Sequence, residues 1–302
     1  MTPDLLFDAT LILLLLALAA AALHTQRLYT AIVLFIVFGL MLALTWARLG
    51  AVDLALAEAA IGTGLVGVML LAAFARSDPE ATTRAPLPLL AASVLLSALA
   101  LGLLAKTVWP LAQGYPALPE LVNSQLAESG VSHPVTAVLL NFRAWDTLLE
   151  LVVLLLALLG VRQLYSPNMN LPAAWPLLLA WSRLLAPLSI VIGGYLLWRG
   201  SHAPGGAFQA GAVLAAGAIV LRLAGLLPPL RWDWWPMRVC VLGGVILFIT
   251  IAAAGYWLGS GWLDYPPGWS KPLITLIEIA ATVSIAFSLS LLVVGETREI
   301  TP

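Results

Sequence analysis

Of 302 residues, 62% are hydrophobic and only 10% are Asp, Glu, Lys or Arg, against about 25% charged residues in a soluble domain. So few charges cannot cover a soluble core, and the apolar residues fall in runs of about 20, the length a helix needs to cross the hydrocarbon of a bilayer. A formal net charge of −1 offers no basic face to nucleic acid or anionic lipid. The single cysteine, Cys240, excludes an internal disulfide or a cysteine-based metal cluster and reads as a small core residue.

Nine apolar runs follow in chain order, at 5–23, 28–47, 52–75, 87–105, about 145–161, 173–198, 207–226, 238–258 and 273–294. The expected fold is all-α, a polytopic transmembrane protein of about nine spanning helices, because only such helices leave no backbone group unpaired in lipid. The first run is preceded by Asp4 and lacks a positive n-region, so it reads as a retained span rather than a signal peptide. Two connections stand out. Residues 106–135 carry Pro110, Pro116, Pro119 and Pro134, and VRQLYSPNMNLP at 161–172 reads as a linker. The chain then divides near Ser166 into a five-helix module, 1–165, and a four-helix module, 166–302.

Arg27, Arg76, Arg84, Arg162, Arg231 and Arg298 fall on one side of the membrane, with Arg222 and Arg238 at adjacent span ends. Arg48, Lys106, Arg199 and Lys271 fall on the other, and Arg143 is ambiguous. The richer side predicts an N-terminus outside and a cytoplasmic C-terminus. The aromatic stretch at 255–270 and Trp232, Trp234 and Trp235 read as interfacial belts.

Ionisable residues at membrane depth cost several kcal/mol and are functional candidates by default. In the third span, Asp53 near the helix start reads equally as a cap, whereas Glu58 lies about 7–8 Å deeper. Beyond it Gly62, Gly64 and Gly67 spell GxGxxG, which is no nucleotide fingerprint because no strand precedes it. Glycines there permit close helix contact or a local break in the hydrogen-bond ladder. Entering the fifth span, Arg143, Asp146 and Glu150 share one helix face. Glu150 reads as a proton relay and Asp146 as the partner of Arg143. Between spans six and seven, WRGSHAPGGAFQAG supplies His202, Pro204, Gly205, Gly206 and Phe208, a tight turn beside a histidine. Glu278 in the ninth span and Arg183 in the sixth each need a partner, and either could serve the other; Lys271 shares a face with Glu278. His24 and His133 read as interfacial. No P-loop, HExxH, GxSxG or CxxCH motif is present, so neither a catalytic centre nor a metal site is expected.

At these motifs the chain resembles a known family. LGAVDLALAEAAIGTGL resembles the MbhD-like signature of Mrp-type multisubunit cation/proton antiporters and membrane-bound hydrogenases, where it forms the C-terminal part of MrpA. HPVTAVLLNFRAWDTLLELVVLLLALLGV resembles the MbhE-like segment that follows it, and RGSHAPGGAFQAGAVLAAGAIVL the signature of MrpB, also called MnhB or MbhF. Val52, Asn141, Leu149 and Ala207 depart from the family pattern, and Asn141 removes one family carboxylate.

The resemblance implies a fused MbhD–MbhE–MrpB subunit of a complex related to the membrane arm of respiratory complex I, which exchanges Na+ or another monovalent cation for H+. Glu58 and Glu150 match acidic positions of the family's ion path, and Asp53, Arg143 and Asp146 fall in the matching motifs. The implied partners are the other membrane subunits, MrpA- and MrpD-like, MrpC-like and MrpE-, MrpF- and MrpG-like, together with lipid. The implied location is the cell inner membrane, and no cofactor is expected beyond the transported ions. Two other readings remain: a coupling subunit of a hydrogenase-like or complex I-like redox assembly, and a scaffold that transports nothing.

Overall fold

The computed structural model describes residues 3–75, 87–112, 117–164, 175–228, 230–258, 261–266 and 268–295. Among these there are helices, turns and no strand. Helix α1 (Pro3–His24) runs into α2 (Leu28–Arg48) and then α3 (Val52–Phe74). Helix α4 (Leu87–Ala112) precedes two short pieces, α5 (Ala117–Gln125) and α6 (Pro134–Ala137). Five longer helices complete the chain: α7 (Ala144–Gln163), α8 (Pro176–Arg199), α9 (Ala207–Leu223), α10 (Trp235–Trp257) and α11 (Ser270–Val294).

Eight of these helices are long and apolar enough to cross a membrane. The run at 207–226, expected to be a ninth span of ordinary length, is shorter: α9 has 17 residues, about 26 Å at 1.5 Å per residue. Its ends explain this. Gly206 begins it and Gly225, with φ +71, follows its C-terminus, so glycine backbone closes the helix at both sides. Arg76, Arg84, Arg298 and the module break near Ser166 lie outside the described residues.

Helix α11 is the axis of the packed region. It lies against α7, α8, α9 and α10 and reaches the C-terminal end of α3. Helix α9 packs in turn against α8 and against the middle of α3, while α1 packs on α2 and α2 on α3. The core holds Leu158, Met237, Val241, Phe248, Ile274, Ile277 and Ile285. Small residues bring the helices close, since a bilayer gives apolar side chains no solvent reason to cluster. A Cβ at Gly211 would lie 2.7 Å from Ile285 Cγ2, and one at Gly244 2.7 Å from Ser284 Cβ. Ser284 donates across the gap to the carbonyl of Val241. On the far side, Arg48 ties α2 to α1 through Asp4 and Asp8, each at 2.9 Å.

Candidate functional site

Helix α3 is regular only at its ends. From Glu58 to Leu65 it widens to a π-helix, the local change in hydrogen bonding that its glycines permit and one often met at functional sites. The widened stretch carries Glu58 on the side of α2. Thr63 Oγ1 donates to Glu58 Oε1 at 3.4 Å, and a Cβ at Gly39 of α2 would lie 3.2 Å from the same oxygen. The opposite side of α3, with Leu54, Ala57 and Ile61, lines a cavity that Glu58 does not line.

That cavity, about 380 Å³ in volume, lies where α3, α6, α7, α9 and α11 meet. Asp53, Glu150 and Glu278 all line it, with Thr136, Gln209 and the backbone of Gly205 and Gly206. Three motifs far apart in sequence therefore face one space. Among the described residues no group of three or more His, Cys, Asp or Glu is placed to hold a metal ion, so the carboxylates share a chamber rather than a coordination point.

Asp53 closes one end. Its Oδ2 meets His133 Nε2 at 2.9 Å, and its Oδ1 accepts the N–H of Gly205 at 3.1 Å. The same loop is held again where the N–H groups of Ser132 and His133 donate to the carbonyl of Ser201, and where Thr136 Oγ1 donates to that of Gly200. Asp53 is thus a junction between the start of α3, the start of α6 and the Pro204–Gly206 turn, beyond the helix cap its position suggested. Pro134 at the first position of α6 fixes that helix start and so presents His133 and Thr136 to the loop. In sequence, His133 opens the HPVTAVLL motif yet reads only as interfacial, and its pairing with Asp53 comes only from the tertiary contact.

Glu150 stands at the other side. It lines the cavity and also an open groove on the outer face of α7, together with Arg143 and Asp146. Arg143 pairs with Asp146 at 2.7 Å, as the i,i+3 spacing predicts. That leaves Glu150 as the uncompensated one of the two carboxylates on this face.

Glu278 is 4% exposed, and its carboxylate opens into the cavity. The expectation that Arg183 could serve it is corrected, and Lys271, on the same face of α11, does not serve it either. Both cations are exposed, and neither forms an ion pair with Glu278 among the described residues. The N-terminal turn of α9, with Ala207, Phe208 and Gln209, lines the cavity across from Glu278. Of the turn motif, Pro204, Gly205 and Gly206 place that helix start, while His202 turns outward. Its ring lies tilted against that of Trp198, with centroids 5.7 Å apart, and meets Ser201 Oγ at 3.0 Å.

Comparison with known proteins gives these placements a context. Residues 13–79 match the MbhD family of MBH, and residues 177–298 match a domain related to the MnhB subunit of the Na+/H+ antiporter. No curated protein matches the chain in sequence. The fold is similar to that of a chain in the Mrp complex from Dietzia sp. DQ12-45-1b, at 23% identity and a TM-score of 0.75, over 97% of this chain and 35% of that one. The protein thus spans about a third of the length of that chain. A chain of the membrane-bound sulfane sulfur reductase, an archaeal respiratory membrane complex, aligns over 68% of this chain and all of its own, at 23% identity and a TM-score of 0.49. The two matched families follow one another in a single polypeptide, which is a fused MbhD/MnhB-like chain.

Proposed function

We propose that this chain is a membrane subunit of an Mrp-like cation/proton antiporter complex and that the cavity between its two family-matched parts belongs to the ion path. The observation that carries the reading is the convergence of Asp53, Glu150 and Glu278 on one chamber at the junction. Carboxylates at membrane depth are retained where charge is moved. Asp53 is engaged by His133 and Gly205, so Glu150 and Glu278 are the two that exchange a proton for a cation. Arg143 holds Asp146 and keeps that second acid from competing with Glu150. Glu58 stands on the adjacent face of α3, within the π-helical stretch, whose local backbone freedom helps to relay charge.

In this reading residues 133–161 are the MbhE-like segment, the module boundary lies near Ser166, and the N-terminus is outside. The partners are the remaining membrane subunits of the complex, the site is the cell inner membrane, and the work is transport with no bond made or broken in a substrate. The test is the assembled complex in liposomes carrying Glu150→Gln. Cation-dependent proton movement should fall about tenfold or more while the subunits still co-purify, the scale on which removing a relay group acts. Unchanged transport at normal assembly would remove Glu150 from the path.

A further inference from the structure

Glu278 differs from every other acid of the chamber. Asp53 is held by a histidine and a backbone N–H, and Glu150 lies at the mouth. Glu278 is inside, more than nine-tenths buried, and among the described residues no protein group is bonded to its carboxylate. The surroundings leave space for something else. Its Oε1 lies 3.0 Å from where a Cβ on Gly200 would stand and 3.5 Å from the corresponding point on Gly206. Gln209 Oε1 lies 3.8 Å from that same point on Gly206. Two side-chain oxygens therefore flank one bare stretch of backbone. It stays bare because Gly206 has φ +113, a region that L side chains rarely enter, and because a Cβ on Gly200 would strike Gly206 Cα at 2.7 Å.

We propose that Glu278 and Gln209, over the Gly200–Gly206 backbone, form a binding site for one monovalent alkali cation of Na+ type. The cavity lining includes three acids and neither lysine nor arginine, so charge balance must come from what enters. A proton would neutralise Glu278 without help from Gln209, whereas a hard cation needs a second oxygen ligand, and Gln209 presents its amide oxygen. The N-terminus of α9 faces the same space and carries about half a positive charge. It offsets part of the carboxylate's pull and keeps the cation exchangeable, as conduction requires. The inference deepens the antiport reading and rests on it for the physiological ion, but binding itself can be measured without transport.

The test uses the full chain in mild detergent, with thermal unfolding followed in NaCl, KCl and LiCl against choline chloride at equal ionic strength. An alkali cation should raise Tm by about 3 °C or more at saturation, as binding to the folded state alone requires. Glu278→Gln should abolish the rise. Glu278→Asp and Gln209→Leu should demand at least about fivefold more cation for the same rise, a loss of roughly 1 kcal/mol by the affinity relation. Should Glu278→Gln fail to fold, Gln209→Leu alone decides. A wild type that does not distinguish alkali cations from choline overturns the site, and so does a rise that survives both Glu278→Gln and Gln209→Leu. In the assembled complex, Gln209→Leu should raise the cation concentration for half-maximal exchange. Cation binding without exchange would leave the site standing and remove the antiport reading. Exchange with unaltered cation dependence in Glu278→Gln would do the reverse.

Discussion

Helices α4 and α11 are nearly equal in length, 26 and 25 residues, and nearly equal in hydropathy. Yet 67% of the α11 span is buried inside the protein and none of the α4 span is. Hydropathy alone says that each crosses a membrane. It does not say what each packs against, because lipid tails and apolar side chains are equivalent neighbours. The difference lies in small and polar residues. In α4, Ser93 and Thr107 donate back to carbonyls of their own helix, at Leu89 and Leu103. In α11, Ser284 reaches the carbonyl of Val241 on α10, and Thr282, Ser284, Ser288 and Ser290 are all buried. Thr282 and Ser290 of α11 also donate back to their own helix, at Glu278 and Ala286, so what sets α11 apart is the burial of these groups and the cross-helix bond of Ser284.

A matched pair of substitutions tests this contrast with the largest effect. At Gly211 of α9 a side chain meets Ile285 and the backbone carbonyl of Thr282, whereas at Gly102 of α4 nothing lies within 4 Å. Gly211→Leu should force α9 from α11 and destabilise the detergent-solubilised chain by about 3 kcal/mol, the upper range for overpacking. Gly102→Leu should change stability by less than about 0.5 kcal/mol. Equal losses in an unfolding titration would mean that α4 is packed after all. Loss of co-purifying subunits with Gly102→Leu, at unchanged chain stability, would instead place α4 against a partner in the complex.

The same contrast explains what the sequence discloses. Run length is enough to locate the eight spanning helices among the described residues and the shorter α9, because a spanning helix must be apolar along its length whatever it touches. The Arg143–Asp146 pair is legible because its spacing is local, and the glycines after Glu58 do mark a break in the α3 ladder. The chamber is not legible as a unit. Asp53 and Gly205 are 152 residues apart, and no periodicity links them. In sequence His133 reads only as interfacial, and His202 stands out because it sits in a glycine-rich turn, although it faces outward. Glu278 is visible as an isolated charge, but its bareness is a tertiary fact.

A smaller effect should come from the loop that joins α10 to α11. Tyr265 is buried there and donates to the carbonyl of Leu140 at 2.7 Å, in the π-helical turn that follows α6. Tyr265→Phe leaves that carbonyl unpaired and should cost about 1–3 kcal/mol. Burial pushes the Tyr265 phenol above the ordinary tyrosine value. For a group whose folded value is raised, stability is complete below the unfolded value of about 10 and declines as pH rises beyond it. Wild-type stability should therefore fall more steeply above about pH 10 than that of Tyr265→Phe. Parallel pH profiles for the two proteins would show that the hydroxyl is not sealed from water.

The smallest effect concerns the rim, where the two halves meet outside the chamber. Arg162, at the end of α7, lies over the ring of Trp232, just before α10, at 4.2 Å from its centroid. An aromatic belt needs only a tryptophan at the headgroup level, so Trp232 in such a belt would couple to no particular residue. A cation–π pair is worth about 0.5–1 kcal/mol where exposed. Arg162 has further contacts, so Arg162→Ala alone would overstate the pair. A double-mutant cycle with Trp232→Ala isolates it and should give a coupling of about that size. A coupling near zero would return Trp232 to the lipid interface, leaving the chamber's own hydrogen bonds to hold the halves in register.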